Sequence, residues 1–274
     1  MGGGEKAEII DTDYFIDNEA NVEDIHKELL KVKKKINEDS KNEAVEVSFD
    51  TDNKENLEIG IEANELEVIK KIAISFDDGP HPKITPKILE EFHKRGAKAT
   101  FYVVGDRVER YPSIAYQIIK EGHEIGNHTW DHPYLTKLKV KDIQQQLVAT
   151  QEIIFRATGK NAISMRPPYG ALNNRVREAI DMPIILWNID VKDWMYRDSD
   201  YISSYIIKHA YDGAIILLHD IYPSTAEAIG SILDDLIGRG FQLVTVSQLL
   251  GMEEEIIEET VIYKDLPQQR LISF

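Results

Sequence analysis

The stretch KIAISFDDG, residues 71–79, places two adjacent aspartates and a glycine directly after an apolar run. The run 71–76 is typical of a β-strand that is buried on both faces, as strands of parallel sheets are. Asp77 and Asp78 therefore stand at the carboxyl end of a predicted strand. Because neighbouring carboxylates repel, each raises the free-energy cost of ionising the other. The pair indicates either an ordinary acidic turn or a site where other groups hold both charges.

Strand-like and helix-like segments alternate from this stretch up to residue 250. Such alternation predicts a parallel sheet whose strands are joined by crossover helices. About seven such units in residues 71–250 favour a closed or nearly closed barrel over an open sheet with one long edge. The predicted strands cover 71–76, 98–104, 123–128, 163–168, 183–190, 214–220 and 241–246.

The two flanking segments differ in composition from this regular region. The chain has a net charge of −16, of which −11 lies in residues 1–70 and −4 in residues 251–274, whereas residues 71–250 carry −1. We therefore expect an acidic N-terminal extension or truncated accessory region (1–70), one α/β domain (71–250) and an acidic C-terminal tail (251–274). So acidic a chain argues against sequence-independent binding of nucleic acid.

Composition also bears on the class of protein. The chain has no cysteine, which excludes disulfides and any thiolate nucleophile or metal ligand. No segment approaches the roughly 18–20 apolar residues of a transmembrane helix. The first ten residues, MGGGEKAEII, lack a charged segment followed by an apolar one, so the sequence predicts no secretion signal in this chain.

Ionisable residues collect where the predicted strands end. In a parallel β/α barrel the carboxyl ends of the strands form one rim, which is where active sites lie. We therefore expect these side chains to converge on one face of the domain. They are Asp77 and Asp78, His128 and His132, Arg166, Asp190 and Asp193, and His219 and Asp220.

The segment HTWDH (128–132) places two imidazoles four residues apart. On a helical turn this spacing brings both to one face, about 5–6 Å apart at Cβ. Taken alone the pair indicates surface or capping histidines, but with a carboxylate it forms a metal-binding set that leaves open positions. Because adjacent residues on an extended strand point in opposite directions, one aspartate could bind the metal while the other acts as a base. A nearby metal would also lower the cost of ionising both.

Three further segments supply candidate groups at the same rim. In RPPYG (166–170), Arg166 could pair with the aspartate that does not bind metal, or be an exposed arginine before a proline turn. Because the two prolines have no amide hydrogen, the next backbone donor is Tyr169, which could stabilise an oxyanion. His219 could donate a proton or simply bond to a backbone carbonyl. Trp194 could stack on a sugar or belong to the core.

Five motifs in order carry a family resemblance. The chain resembles the polysaccharide deacetylases of carbohydrate esterase family 4, the NodB-homology domain, over about residues 70–250. The resemblance implies a distorted (β/α) barrel with fewer than eight strands, here about seven. The matching motifs are SFDDG (75–79), HTWDH (128–132), RPPYG (166–170), DVKDW (190–194) and LLH (217–219).

The resemblance also implies roles for individual residues. Asp77 would be the general base and His219 the general acid. Arg166 would hold Asp77, and Asp193 would brace Arg166. Asp78, His128 and His132 would bind a divalent metal ion, most often zinc, with cobalt as an alternative. The substrate-binding residues would be Tyr169 and Pro168, together with Trp194 and Leu217, which would line the pocket for the acetyl methyl group.

The expected function is metal-dependent removal of N-acetyl groups from an N-acetylglucosamine-containing polysaccharide such as peptidoglycan or a chitin-like polymer. O-Deacetylation of xylan or another acetylated polysaccharide is the alternative within the same class. A non-catalytic glycan-binding protein or metal-storage protein is the alternative from another class. From the class of substrate we expect a secreted or cell-surface protein. The sequence predicts no particular oligomeric state.

Overall fold

The computed structural model describes residues 69–252. The features predicted for residues 1–68 and 253–274 therefore lie outside the described residues. Six parallel strands are assigned in the described range. They are β1 (Lys70–Asp77), β2 (Thr100–Val103), β3 (Glu124–Asn127), β4 (Ile189–Asp190), β5 (Ile215–His219) and β6 (Phe241–Leu243).

Helices connect these strands, as the alternation predicts. Prolines occupy the first turn of three of them, where a missing backbone N–H costs nothing. The longest helix ends at Gly159, whose left-handed backbone closes the last turn. The helices are α1 (Thr85–Lys94), α2 (Gly105–Arg110), α3 (Pro112–Lys120), α4 (Val140–Thr158), α5 (Asn174–Glu178), α6 (Asp193–Tyr196), α7 (Ser199–His209), α8 (Pro223–Gly238) and α9 (Val246–Leu250). None of the helices in residues 69–252 is long and apolar enough to cross a membrane.

The strands follow the order β3-β2-β1-β5-β4, and β6 pairs with the first residues of β1. Two single-residue bridges extend the pairing beyond β3, first to Met165 and then to Ile184. The segment 184–190 therefore pairs with Met165 at its start and with β5 at its end. Parallel pairing thus runs around a distorted barrel, although the assigned strands alone do not form a closed ring.

The predicted strand at 163–168 is reduced to the bridge at Met165. Pro167 and Pro168 follow directly and have no N–H to donate to a neighbouring strand. The predicted strand at 183–190 likewise keeps only its last two residues as β4, and it begins with a proline. The parallel α/β architecture is confirmed, while these two strands are shorter than the apolar pattern predicts.

Alternation along β1 determines which side chains face the interior of the sheet. Ile72, Ile74 and Phe76 belong to the large apolar cluster beneath the helices. The alternate side chains Ser75 and Asp77 point the other way and contact Arg166 inside the barrel. In register, Asp77 lies beside His219 at the end of β5, so the end of β1 adjoins that of β5. The fold therefore brings the predicted site residues to one rim.

The close approach of β3 to β2 gives a direct test of this packing. Gly126 lies beside Tyr102, and a Cβ added at Gly126 would lie 2.3 Å from two carbons of the Tyr102 ring. Overpacking of a buried site typically costs ~1–3 kcal/mol of stability. We therefore expect Gly126→Ala to lower the midpoint of urea unfolding.

Gly238→Ala is the matched control for this substitution. Gly238 ends α8 with no atom within 4 Å of an added Cβ, and alanine favours the helix over glycine. We expect its midpoint to be equal to or higher than that of the wild type. Equal midpoints for both variants would contradict the tight contact between Gly126 and Tyr102.

Candidate active site

The centre of the site is a buried ion pair between Arg166 and Asp77. Nη1 of Arg166 donates to Oδ1 of Asp77 at 2.8 Å, and both side chains are almost fully buried. Oδ2 of Asp77 lies 3.7 Å from Nε2 of His128, which is too long for a hydrogen bond. Asp77 therefore has one oxygen fixed by the guanidinium and one that faces the site.

The remaining donors of Arg166 are satisfied inside the barrel. Nη1 also donates to Oγ of Ser75 at 2.9 Å, while Nε and Nη2 donate to the carbonyl oxygens of Ile185 and Leu186. The guanidinium lies 4.1 Å from the centroid of the Tyr102 ring, close enough for a cation–π contact. These contacts fix the direction in which Arg166 holds Asp77.

Asp78 reaches the site by a different backbone path from the one predicted. Its φ is 75°, so it is not extended, and the argument that adjacent strand residues point in opposite directions is wrong here. The left-handed turn instead brings the Asp78 carboxylate to the same side as that of Asp77, where both approach His128. A non-glycine residue in this conformation is strained, and such strain is found mainly at functional sites.

The same backbone feature recurs in the other motifs. Of the six non-glycine residues with positive φ in residues 69–252, five lie within four of the five motifs. The five are Asp78, Thr129, His132, Tyr169 and Lys192. The surrounding contacts must therefore stabilise local conformations that these side chains disfavour.

Asp78, His128 and His132 form a cluster suited to a metal ion. One ligand atom from each lies within 4.8 Å of the others. Oδ1 of Asp78 is 3.5 Å from Nε2 of His128 and 3.2 Å from Nε2 of His132. The family resemblance implies this set, and the structure brings all three residues together.

The hydrogen bonding of this cluster tests whether a cation fits it. Nδ1–H of His128 donates to the carbonyl oxygen of Arg166 at 2.7 Å, which in the neutral ring leaves the lone pair on Nε2. That lone pair faces Oδ1 of Asp78, which is buried and accepts no hydrogen bond from any described residue. Facing acceptors repel unless a cation lies between them, so the residues present fit a divalent metal ion.

The charges around Asp78 favour its ionised form. Burial alone would raise the pKa of Asp78, but the neighbouring imidazole of His128, followed by those of His219 and His132, lowers this pKa well below its ordinary value. Burial, with His128 next in importance, lowers the pKa of His132 and favours its neutral form. An ionised carboxylate and a neutral imidazole are the forms that bind metal.

His219 is held by Asp193, and this corrects the predicted role of Asp193. Nδ1–H of His219 donates to Oδ1 of Asp193 at 2.7 Å, and the backbone N–H of His219 donates to Oδ2 at 2.8 Å. Arg166 makes no hydrogen bond or ion pair with Asp193, so the expectation that Asp193 braces Arg166 is wrong. The reason is that β4 pairs with β5, which places α6 and its first residue, Asp193, beside His219.

The partnership with Asp193 also sets the protonation of His219. Burial favours the neutral imidazole, but the hydrogen bond and charge of Asp193, with smaller contributions from Asp77 and Asp78, raise the pKa of His219 to about 9. His219 therefore carries a proton at neutral pH. Its Nε2 is left to point away from Asp193.

The predicted substrate-binding residues occupy different depths. Tyr169 and Trp194 are exposed at the rim, with 55% and 44% of their surface accessible, whereas Leu217 and Pro168 are buried. Leu217 is two residues before His219 on β5, so both side chains lie on the same face of that strand. The ring of Tyr169 stacks on Tyr134 at 3.8 Å and meets His132 edge-on.

Thr225 and Asp220 complete the site; sequence analysis missed Thr225, and it placed Asp220 at the rim without giving it a role. Thr225 donates its hydroxyl to Oδ2 of Asp193 at 2.7 Å from the start of α8, and nothing in the sequence around it indicates this contact. Asp220 is fully buried, accepts from the Thr85 hydroxyl and packs against Gly79 behind the aspartate pair. Burial raises the pKa of Asp220 to about 7. Its position directly after His219 was the available signal.

The chain is similar in sequence to known polysaccharide deacetylases. A model of the family described as polysaccharide deacetylase matches residues 67–182. Peptidoglycan-N-acetylglucosamine deacetylase PgdA of Listeria monocytogenes is 39% identical over 203 residues, which cover 74% of this chain and 43% of that protein. Peptidoglycan-N-acetylmuramic acid deacetylase PdaC of Bacillus subtilis is 43% identical over 186 residues, which cover 68% of this chain and 40% of that protein. The chain thus spans about two fifths of the length of these two relatives.

The fold of the chain is also similar to that of a solved peptidoglycan deacetylase. The structure of peptidoglycan deacetylase PdaC from Bacillus subtilis matches with a TM-score of 0.65 and 44% sequence identity. The match covers 66% of this chain and 90% of that chain. The similarity therefore extends over nearly the whole of the solved domain.

Asp193→Asn tests the link between Asp193 and His219. Because this substitution removes the charge that opposes the effect of burial, we expect the pKa of His219 to fall from about 9 toward its ordinary value of 6.5. The pKa can be followed by NMR of the imidazole resonances in metal-free protein. Asp190→Asn is the control, since Oδ1 of Asp190 accepts from the backbone N–H of Lys192. A His219 pKa that stays near 9 in Asp193→Asn would disprove the assignment.

Proposed function

The chain belongs to the polysaccharide deacetylase family, carbohydrate esterase family 4, and from this membership we propose that it hydrolyses the N-acetyl groups of peptidoglycan or a related polysaccharide. The observation that carries the proposal is the meeting of three groups at one rim. They are the Arg166–Asp77 pair, the Asp78–His128–His132 cluster and the Asp193–His219 pair. Together they offer a base, a metal site and an acid for hydrolysis of an amide bond.

The metal site would be formed by Asp78, His128 and His132. Two imidazoles and one carboxylate suit zinc, and cobalt would be accepted by the same ligands. A divalent ion bound there would polarise the acetyl carbonyl and lower the pKa of a water molecule. The hydrogen bond from His128 to the Arg166 carbonyl orients that imidazole whether or not the ion is bound.

Asp77 is the proposed general base. Arg166 binds Oδ1 in a charge-assisted hydrogen bond, while Oδ2 faces the site and has no hydrogen bond that would block it. In this geometry Oδ2 takes the proton from the water that attacks the acetyl carbon.

His219 is the proposed general acid. Its pKa of about 9 keeps the ring protonated at neutral pH, and Asp193 fixes Nδ1 so that Nε2 carries the transferable proton. The proton goes to the sugar nitrogen as its bond to the acetyl carbon breaks, which releases acetate and a free amine. The backbone N–H of Tyr169, on the stiff loop after two prolines, would stabilise the negative charge that develops on the acetyl oxygen.

The identity of the acetylated sugar belongs to this proposal as well. We propose N-acetylglucosamine as the leading substrate, in line with the activity for which the Listeria relative is named. The Bacillus relative is described as acting on N-acetylmuramic acid, so the neighbouring sugar of peptidoglycan is the second candidate. Exposed Tyr169 and Trp194 flank the site and could contact the polymer on either side. Peptidoglycan lies outside the cell membrane, so we propose a secreted or cell-surface location.

Removal of one ligand tests the metal site without reference to activity. We expect His132→Gln to bind less zinc than the wild type, as measured by mass spectrometry of the bound metal after dialysis. His93→Gln is the control, because His93 is an exposed residue of α1 outside the cluster. Chelation is expected to abolish acetate release, and added zinc or cobalt to restore it. Undiminished zinc content in His132→Gln would argue against this site.

A panel of acetylated glycans tests the reaction. We expect acetate release from N-acetylglucosamine oligomers or peptidoglycan and not from acetylated xylan. Asp77→Asn should lower kcat about 10²–10⁴-fold, the usual loss when a general base is removed. Zinc content and the unfolding midpoint of this variant must be measured in parallel, because the substitution also removes the partner of Arg166. Near-wild-type kcat with the metal bound would refute the base assignment, and release from xylan alone would favour O-deacetylation.

A further inference from the structure

A groove of about 210 Å³ opens beside the metal cluster. Two of its lining residues, Asp78 and His132, belong to that cluster, and Val104, Asp106, Arg107 and Asp131 form the rest of its wall. Typical sites for small molecules have volumes of about 300–1,000 Å³. The groove is therefore smaller than a typical ligand site, which favours a side group of the polymer as its occupant.

Arg107 is the group in this groove that the proposed reaction leaves without a role. Its side chain is half-buried on α2, and no hydrogen bond or ion pair with another described residue engages its guanidinium. Burial, and then the positive charge of Arg107, lowers the pKa of His81 in the loop that follows the aspartate pair. The charge of Arg107 therefore affects an ionisable group at the edge of the active site.

The two carboxylates in the same groove already have partners. Oδ2 of Asp106 accepts from Arg110 at 2.5 Å, and Oδ1 of Asp131 accepts from Gln146 at 2.8 Å. Neither one pairs with Arg107, although all three line one small space. An arginine that has lost part of its hydration and keeps all its donors free is adapted to bind a planar anion.

We propose that Arg107 binds a carboxylate carried by the sugar-linked side group of the substrate. This inference rests on the proposed function, because it places the acetylated sugar at the metal cluster and the side group in the adjoining groove. Peptidoglycan carries such a group in two alternative forms. One is the free lactyl carboxylate of N-acetylmuramic acid where no peptide is attached, and the other is a carboxylate of the peptide where the lactyl carboxyl forms the amide bond to it. Arg107 would thus distinguish peptidoglycan from uncharged polymers of N-acetylglucosamine.

Matched ligands separate the charge of the carboxylate from its shape. The probes are the disaccharide of N-acetylglucosamine and N-acetylmuramic acid with a free lactyl carboxylate, its lactyl methyl ester, and the same disaccharide carrying a peptide. Binding to the zinc-loaded full chain is measured by titration calorimetry, and acetate release is measured on the same ligands. Arg107→Gln is compared with Arg156→Gln, which removes an equal charge from an exposed position of α4 outside the groove.

The expected result is a preference of the wild type for the free carboxylate over the ester by about tenfold or more, as for a hydrogen bond to a charged group. Arg107→Gln should lose this preference with unchanged affinity for the ester, while Arg156→Gln keeps it. A preference confined to the peptide-bearing ligand would identify the peptide as the source of the carboxylate.

Three results would overturn the inference. The first is that wild type and Arg107→Gln prefer the free carboxylate over the ester equally. The second is that Arg107→Gln loses affinity for the acid and the ester equally. The third is that the wild type prefers the ester, as expected if the charges of Asp106 and Asp131 dominate the groove. The calorimetric measurement of binding distinguishes a failure of this inference from a failure of the proposed function. If the wild type prefers the carboxylate but releases no acetate from any ligand, the proposed reaction is wrong and the carboxylate site stands.

Discussion

The structure depends on the burial of the Arg166 guanidinium inside the barrel. An unpaired charge at such a position costs several kcal/mol, so each of its donors must meet an acceptor with good geometry. The acceptors come from separate strands and strand-like segments: Ser75 and Asp77 from β1, and the carbonyl oxygens of Ile185 and Leu186 from the segment that leads to β4. The ring of Tyr102 on β2 covers its face. One charged side chain therefore holds several segments of the distorted barrel in register, and it is the largest fully buried side chain among the described residues.

This constraint explains why two neighbouring carboxylates are tolerated at the end of β1. Arg166 neutralises Asp77, and the left-handed turn at Asp78 carries the second carboxylate toward the two imidazoles. Arg166 contacts both the proposed base and the metal-binding cluster, because its side chain binds Asp77 while its backbone carbonyl accepts the hydrogen bond of His128. The orientation of the proposed base and that of a proposed metal ligand are consequently set by one residue. A shift of the Arg166 backbone would misplace both.

Sequence periodicity predicted the parallel α/β fold and the rim at which the motifs meet, because apolar runs and strand ends are local properties. It could not identify lateral neighbours. Asp193 was assigned to Arg166 by family resemblance, yet strand pairing places it beside His219 and Thr225. The conformation of Asp78 was also missed, since an aspartate before glycine is compatible with both an extended and a left-handed backbone. The short pairing at Met165 follows from Pro167 and Pro168, which interrupt an otherwise apolar run.

The two proposed proton-transfer groups are each held by a partner of opposite charge. Arg166 binds the carboxylate of Asp77 in a buried ion pair. Burial favours the neutral form of His219, but the hydrogen bond and charge of Asp193 favour its imidazolium form. Both partners lie on the far side of the group that they stabilise: Arg166 bonds Oδ1 of Asp77 and Asp193 bonds Nδ1 of His219. Oδ2 of Asp77 and Nε2 of His219 are thereby left facing the site, so the contacts that hold the base and the acid also set the direction in which protons can move.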